Sequence, residues 1–306
     1  MKIAVMGAGA IGSYFGGLLA RAGEDVWFVA RGPHLQAMRE KGLRVESPHG
    51  DFSIPVQATD DPAEVGPVDL VLFTVKSFDT EGAARQMLPM MGPQAVVLSL
   101  QNGVTNEEVL GRVIGPDKVL GGLCYIPADV PEPGLVKHNG PKRDIIFGEL
   151  PGGITGRARA ILAVLEKAGI PTTLAEDIRV PLWSKFLFIS AFSSITALTR
   201  MPIGPVRDTP EAWELYAGLL EECYLVARGL GVNLPDNAVA QTLEMSKNWP
   251  DSAKSSLLQD LEKGKRLEID ALCGAVARLG DQVGVPTPLS RCVYGALKVH
   301  QPKTAS

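Results

Sequence analysis

The sequence has few of the residues that build metal centres or disulfide frameworks. It contains four cysteines and four histidines. The cysteines (Cys124, Cys223, Cys273 and Cys292) are scattered and form no Cys-x-x-Cys pair, and neither residue type shows the spacing of a zinc site. We therefore expect no metal site, and we expect reduced thiols of the kind found in a cytoplasmic protein.

Strong net charge and long apolar runs are also missing. The formal net charge is −4, with no basic tail or stripe, which argues against nucleic acid or an anionic membrane surface as partner. The longest apolar stretch, residues 186–198, is interrupted by serines and a threonine and is shorter than the roughly 20 residues that span a bilayer. A hydrophobic share of 45% over 306 residues predicts a soluble cytoplasmic protein of two domains, with no membrane partner.

The first dozen residues carry the strongest positive signal. An apolar run over residues 3–6 leads into Gly7-Ala8-Gly9-Ala10-Ile11-Gly12, which fits the G-x-G-x-x-G fingerprint. Gly7 allows a tight turn, Gly9 lets the backbone approach a pyrophosphate, and Gly12 lets a helix pack close to the strand. A helical pattern over 11–22 and an apolar run over 26–30 complete a βαβ unit, so residues Gly7 to Gly12 are predicted to bind a dinucleotide at a helix N-terminus.

The residue after the second strand bears on which dinucleotide binds. NAD sites place an acid there for the ribose hydroxyls, whereas NADP sites favour a nearby arginine. This strand ends in Val29-Ala30-Arg31, and Asp25 precedes the strand. Arg31 can stack on adenine and pair with a 2′-phosphate, which favours NADP(H), although a solvated loop arginine is the alternative.

Strands and helices continue to alternate to about residue 120, which predicts a Rossmann-type, doubly wound parallel sheet. Apolar strands over 68–75 and 95–100 end at Lys76 and Asn102. Ligands bind at the carboxyl ends of such strands. Lys76 and Asn102 are therefore predicted to line the cofactor site, although either residue alone is typical of a solvated surface or a turn.

Residues 135–148 are predicted to form a hairpin. Beyond Asp177 the pattern changes to long helices, over 180–199, 210–230, 237–247, 255–283 and 289–299. The fold class is therefore predicted as an α/β N-terminal domain, residues 1–175, followed by an all-α C-terminal domain, residues 176–306. The first would bind the cofactor and the second the substrate.

Two constellations in the helical half contain candidate functional groups. Lys185 lies in an otherwise apolar helix, where it either faces a cleft as a proton donor or extends to solvent. Further on, Ser255 or Ser256 can cap a helix, and Glu262 and Arg266 have the i,i+4 spacing of an ion pair. Glu268 is predicted to lie on a buried turn, which a solvated charged face does not explain.

The whole chain resembles the ketopantoate reductase (2-dehydropantoate 2-reductase) family. The resemblance rests on the glycine fingerprint, Arg31, Val75-Lys76, Gln101-Asn102-Gly103, Trp183-Ser-Lys185, Ser255-Ser256-Leu-Leu-Gln-Asp and Leu267-Glu268-Ile-Asp270. It implies an enzyme of pantothenate biosynthesis that reduces a 2-oxo acid with NADPH. It further implies that Lys185 is the general acid, that Lys76 and Asn102 line the cleft, and that Ser256 contacts the substrate carboxylate. Glu268 would contact the nicotinamide ribose or hold Lys185.

The sequence departs from the family at three positions where asparagines usually hold the polar groups of ketopantoate. These positions are Ile189, Ser193 and Ile203, and the first two follow Lys185 at four-residue steps on one helix face. Each lost hydrogen bond is worth about 0.5–1.5 kcal/mol. Ketopantoate is the leading substrate, and a less polar 2-oxo acid is the alternative.

Two other functions and the oligomeric state stay open. An opine-type dehydrogenase shares the two-domain plan but usually has a His–Asp pair, and the helical half has no histidine before His300. A non-catalytic NADP(H)-binding sensor is the third alternative, which Lys185 and Glu268 argue against. The long helices are compatible with a homodimer or a monomer, and the sequence does not place Arg207, Asp208 or Trp249 relative to the cleft.

Overall fold

The computed structural model describes residues 1–301, so the end of the predicted helical domain, residues 302–306, lies outside the described part. The chain divides into two compact units. The first comprises Met1–Gln101 and Asn106–Ile178, and the second comprises Asn102–Thr105 and the chain from Arg179 onward. A four-residue segment from the middle of the first half therefore belongs to the second unit.

The first unit is built on two sheets and six helices. Its strands are β1 Lys2–Met6, β2 Asp25–Val29, β3 Leu43–Glu46, β4 Phe52–Ile54, β5 Gln57–Thr59, β6 Val68–Phe73, β7 Met91–Ser99, β8 Val119–Tyr125, β9 Ala128–Glu132, β10 Leu135–His138, β11 Asp144–Glu149 and β12 Thr172–Leu174. Its helices are α1 Ala10–Arg21, α2 Gly32–Lys41, α3 Pro62–Val65, α4 Thr80–Gln86, α5 Asn106–Ile114 and α6 Gly156–Lys167.

The larger sheet has eight strands in the order β12-β11-β8-β7-β6-β1-β2-β5. The six neighbouring strands from β5 to β8 are parallel. They follow the doubly wound order, in which successive strands are added first on one side of β1 and then on the other. Only the β8–β11 pair is antiparallel among the strand pairs described for this sheet. The predicted fold class of this half is confirmed, with a mixed edge added to the parallel sheet.

Alternate residues of the central strands enter different cores. Ile3 and Val5 of β1 pack into one apolar cluster, while Ala4 and Met6 pack into another on the opposite face. This period of two places an apolar core on each side of the sheet, so the strands are apolar throughout rather than alternating with polar residues.

Helix α1 is covered on both sides, which explains its small residues. A Cβ on Gly16 would lie 2.6 Å from the Phe28 ring of the large sheet. A Cβ on Gly17 would lie 2.9 Å from Leu43 of the smaller sheet, whose order is β4-β3-β10-β9. The helix that follows the glycine fingerprint is therefore fixed firmly between two sheets.

The predicted hairpin over residues 135–148 is wrong. Strand β10 pairs with β3 and β9 in the small sheet, whereas β11 pairs with β8 and β12 in the large one. The turn between β10 and β11 carries the usual local signals, but both strands find their partners elsewhere in the chain. Local signals do not identify a partner strand, so the pairing was not readable from this segment.

The second unit is helical in its regular structure. Its helices are α7 Arg179–Thr199, α8 Ile203–Asp208, α9 Pro210–Gly229, α10 Ala238–Lys247, α11 Ser256–Glu262, α12 Cys273–Val283 and α13 Pro288–Lys298. The predicted all-α character is confirmed. Among the described helices, α7 alone is long and apolar enough to cross a membrane, judged by length and composition. However, 67% of its most apolar stretch is buried inside the protein. Such burial is typical of a core helix.

The predicted continuous helix over 255–283 is wrong. Helix α11 ends at Glu262, and Gly264 follows with φ +62°, a left-handed conformation that ends helices. The Lys265 amide then donates to the Asp260 carbonyl at 2.9 Å, which closes the helix end. Arg266 therefore lies beyond the helix, and Glu262 forms an ion pair with Lys254, at 2.6 Å.

Candidate active site

The backbone of the glycine turn after β1 is fixed by hydrogen bonds with Val29 and Thr74. Gly7 has φ +94°, and the Gly7 and Ala8 amides donate to the Val29 carbonyl at 3.2 and 3.0 Å. The Thr74 hydroxyl, just past β6, donates to the Gly7 carbonyl at 2.6 Å. Sequence reasoning did not single out Thr74, because its role depends on β6 lying beside β1.

The three glycines differ in the space around them. A Cβ on Gly12 would lie 2.4 Å from the Thr74 hydroxyl and 2.6 Å from the Gly7 carbonyl oxygen, so this position accepts no side chain. A Cβ on Gly9 would meet nothing within 4 Å. Gly12 is therefore needed for close packing, whereas Gly9 leaves an open cradle over the turn.

The helix start beside this cradle suits an anion. The first intrahelical bond of α1 runs from the Ser13 amide to the Gly9 carbonyl at 2.9 Å, so the amides of Ala10, Ile11 and Gly12 precede it. The first turn of α1 contains no acidic residue. Open space, amides ahead of the first helical bond and the helix dipole together suit a pyrophosphate, so the predicted phosphate site stays a prediction with a suitable geometry.

Arg31 lies after β2 on an open surface of the first unit. Its guanidinium donates to the Gln86 side-chain oxygen at 2.8 Å. The depression around it is also lined by Asp60, Asp61 and Pro62. Both carboxylates have partners, since Asp60 lies 3.5 Å from Arg39 and Asp61 accepts from the Ala63 amide at 2.9 Å. Sequence reasoning did not place these two acids beside Arg31, because their position depends on the pairing of β5 with β2.

Lys76 lies at the carboxyl end of β6, where it precedes a 3-10 turn over Ser77–Asp79. Its neighbourhood is organised by Gln101, which is 4% exposed. The Gln101 side-chain amide donates to the Val75 carbonyl and to the Thr80 hydroxyl, both at 2.8 Å. Gln101, which follows β7, thereby connects the segment after β6 to the start of α4. Its place in the Gln101-Asn102-Gly103 motif did not reveal this role.

The segment that follows, residues 102–105, belongs to the helical unit. Val104 packs against that unit's core. The Lys185 ammonium of α7 donates to the Asn102 side-chain oxygen at 2.9 Å, across 83 residues of sequence. The structure therefore brings together two of the predicted site residues, and it holds the amine of the half-buried Lys185 at a defined position.

A buried acid, Glu107, lies on α5 of the first unit. It is 6% exposed, and burial raises the pKa of its carboxyl to about 7. Burial therefore favours the neutral form of this carboxyl more than in an exposed glutamate. Sequence reasoning did not single out Glu107, and the structure places it outside the unit that holds Lys185.

The residues one and two turns beyond Lys185 lie on the same face of α7. Ile189 is half-buried and Ser193 is buried, at 5% exposure. Ile203 begins α8 and is fully buried, with its amide bonded to the Ala253 carbonyl at 3.0 Å. Ile189 and Ser193 are thus placed beside Lys185 along the helix, whereas Ile203 is a core residue.

The start of α11 is attached to α7 by two hydroxyls. Ser255 is the helix cap and accepts from the Leu258 amide at 3.0 Å. Its hydroxyl also lies 2.7 Å from that of Thr196, which is on α7. The exposed Ser256 follows directly, so the candidate carboxylate contact is on a helix start whose position is set by Ser255. The predicted cap is confirmed.

Glu268 lies in the non-helical segment between α11 and α12 and is 9% exposed. Its neighbours Leu267 and Ile269 are fully buried. The Gln301 side chain accepts from the Leu267 amide at 3.1 Å and donates to the Leu267 carbonyl at 2.7 Å. The predicted burial of Glu268 is confirmed, and a glutamine distant in sequence fixes the backbone of the residue before it.

Metal chemistry has no candidate centre in residues 1–301, where no group of three or more His, Cys, Asp or Glu is arranged to hold an ion. No disulfide joins the four cysteines, and Cys124, Cys223 and Cys273 are buried. His138, the most buried histidine, bonds to Ser47 at 3.0 Å and to the Lys142 carbonyl at 2.8 Å, which marks it as structural.

Comparison with known proteins matches most of the chain to models of one family. Models described as "Ketopantoate reductase PanE/ApbA" and "Ketopantoate reductase PanE/ApbA C terminal" match residues 3–152 and 177–301. The chain is 34% identical to a 2-dehydropantoate 2-reductase of Archaeoglobus fulgidus over 97% of both proteins, and 32% identical to one of Mesorhizobium japonicum over 97% of both. It is similar to the crystal structure of a PanE/ApbA family ketopantoate reductase from Ralstonia eutropha, with TM-score 0.91, 37% identity and 98% of each chain covered.

Gly9→Ala and Gly12→Ala form a matched pair that tests the pyrophosphate cradle. Gly12→Ala is expected to lower the melting temperature, because its methyl group would overlap Thr74 and Gly7. Gly9→Ala is expected to keep the wild-type melting temperature but to raise the Kd for NADPH by about tenfold or more, because its methyl group fills the cradle. Calorimetric titration measures the Kd, and a wild-type value in Gly9→Ala would contradict the assignment.

Proposed function

Because this chain belongs to the ketopantoate reductase family, we propose that it is an oxidoreductase that reduces a 2-oxo acid to the 2-hydroxy acid with NADPH. The reference reaction, from the name its relatives carry, converts 2-dehydropantoate to pantoate. The observation that carries the proposal is the 2.9 Å hydrogen bond from the Lys185 ammonium to Asn102. It supports the proposal, because it orients an amine on a helix whose next turns carry no competing charge.

Lys185 would act as the general acid. When bound, the nicotinamide cofactor supplies a hydride to the keto carbon of the substrate. Negative charge develops on the keto oxygen, and the Lys185 ammonium stabilises that charge and gives up one proton to it. The balanced change is one hydride and one proton added across the carbonyl, with the carboxylate unchanged.

Asn102 would position the donor rather than transfer a proton. Its side-chain oxygen accepts one of the three ammonium hydrogens, so the direction of the other two is restricted before substrate arrives. Such preorganisation lowers the reorganisation needed in the transition state. Asn102 also follows the carboxyl end of β7, the edge at which doubly wound sheets bind ligands.

The remaining contacts follow from the local geometry and the family resemblance. Residues 7–12 would hold the pyrophosphate, and Arg31 would hold the 2′-phosphate of NADPH. Lys76 would line the cofactor side, Ser256 would meet the substrate carboxylate, and Glu268 would contact the nicotinamide ribose or hold Lys185. Support comes from the open cradle over Gly9, the fixed start of α11 and the buried position of Glu268.

The proposed setting is the cytoplasm, with a small-molecule substrate. Support comes from the four cysteines, none of which is in a disulfide, and from the burial of two thirds of the apolar stretch of α7. Neither nucleic acid nor a membrane is part of the proposal.

Lys185→Met tests the proposed acid. We expect kcat for 2-dehydropantoate to fall by about 100-fold or more, because general acid catalysis contributes about 10²–10⁴-fold, while the Kd for NADPH changes little. Stopped-flow absorbance at the NADPH band measures turnover. The control Lys167→Met removes another hydrogen-bonded lysine, whose ammonium lies 2.7 Å from Glu24, and should keep wild-type turnover. Turnover retained in Lys185→Met would remove Lys185 from the mechanism.

Arg31→Ala tests the choice between NADPH and NADH. We expect the KM for NADPH to rise by about tenfold to a hundredfold, since hydrogen bonds to charged groups are worth about 1.5–3 kcal/mol. The KM for NADH should change little. Arg85→Ala is the matched control, because Arg85 is another exposed arginine of this unit and pairs with Glu81 at 2.8 Å. Equal effects on both cofactors would contradict a 2′-phosphate contact.

A further inference from the structure

The face of α7 that carries Lys185 is aromatic over its next two turns. Phe188 and Phe192 follow Lys185 at i+3 and i+7, so all three lie on one side of the helix. Their rings are stacked, with centroids 5.1 Å apart and planes 17° from parallel. Phe188 keeps part of its surface exposed, whereas Phe192 is buried. Aromatic surface therefore begins one turn from the proposed proton donor.

A third ring extends this surface. Trp249, between α10 and α11, has its centroid 4.9 Å from Phe188 and 5.2 Å from Phe192, tilted by 51° and 59°. We call Phe188, Phe192 and Trp249 the aromatic wall. Trp249 is half-buried, so the wall has an accessible edge that its own core packing does not use up.

The wall is held rigidly by the turn that carries Trp249. Arg207 of α8 donates to the carbonyls of Lys247 and Trp249, at 3.0 and 3.2 Å, and pairs with Asp251. The Gly204 amide also donates to the Asp251 carbonyl at 3.1 Å. These three backbone hydrogen bonds within residues 247–251 fix the turn that carries the indole before any ligand arrives, which favours a preorganised binding surface.

The same face of α7 has few side chains that could form a hydrogen bond with a substrate. The residue at i+4 from Lys185 is Ile189, which is half-buried, and the hydroxyl residue at i+8, Ser193, is buried. A substrate hydroxyl beside Ile189 would lose its water without gaining a partner. An aromatic ring there would gain face and edge contacts with the wall.

We infer that this site also reduces aryl-substituted 2-oxo acids, with the ring of the substrate seated against the aromatic wall and Ile189. The inference rests on the proposed function, because it uses the same proton donor. The reaction is the same in its balance: the keto carbon gains the hydride, the oxygen gains the proton, and the product is an aryl 2-hydroxy acid. What is new is the substrate class and the residues that select it.

The test is a comparison of phenylglyoxylate with 2-dehydropantoate under NADPH. We expect the wild type to reduce phenylglyoxylate with kcat/KM within tenfold of that for 2-dehydropantoate or above it. If 2-dehydropantoate alone is reduced, the inference is overturned while the proposed function stands. If neither acid is reduced, both the proposed function and the inference that rests on it are wrong.

Trp249→Leu separates recognition from packing. It should lower kcat/KM for phenylglyoxylate at least tenfold, mainly through KM, and change that for 2-dehydropantoate less than threefold. Trp213→Leu is the matched control, because Trp213 forms a similar tilted pair with Tyr216, at 5.1 Å, and is not one of the three wall rings, so it should alter neither value. Equal losses on both substrates in Trp249→Leu would show a structural role and overturn the wall.

A second variant keeps the inference testable if Trp249→Leu does not fold. Ile189→Asn places an amide one turn above Lys185 without touching the wall residues. The ratio of kcat/KM for phenylglyoxylate to that for 2-dehydropantoate should fall at least tenfold. An unchanged ratio would contradict selection by this helix face.

Discussion

The hydrogen bond from Lys185 to Asn102 is the contact on which the proposed chemistry depends. A lysine ammonium is flexible and strongly hydrated, and it becomes a selective proton donor only when its direction is fixed. Asn102 supplies that direction at 2.9 Å, from a segment that follows β7 in sequence yet belongs to the helical unit. Gln101, the residue before it, is buried and bonded to the ends of β6 and α4, so the approach of the chain to Asn102 is fixed as well.

Helix α7 combines two functions that make different demands on its residues. One face is core, with Phe186, Leu187 and Ile195 almost fully buried. The other carries Lys185 and then Phe188 and Ile189, and Trp249 from the turn before α11 packs against Phe188. Because the helix is held on its core side, the surface it presents is stable without polar contacts. The same arrangement that positions the acid therefore also sets which substrates suit the site.

Much of this was accessible from the sequence, and the failures have physical causes. The glycine turn, the parallel order of the central strands and the helical second half follow from local patterns that the tertiary structure keeps. The hairpin at 135–148 failed because strand partners are chosen over long distances. The helix at 255–283 failed because Gly264, a local stop signal, lies in a charged run that favours helix. Thr74, Gln101 and the Ser255–Thr196 contact could not be found, since each role depends on a neighbour distant in sequence.

The most direct measurement is a double-mutant cycle on turnover with NADPH and 2-dehydropantoate, using Lys185→Met, Asn102→Ala and the double variant. If Asn102 acts by positioning Lys185, its loss should cost turnover only while the lysine is present. The double variant should then be no slower than Lys185→Met alone, which is strong non-additivity. Two independent losses that multiply in the double variant would contradict the account, because the two residues would then contribute separately.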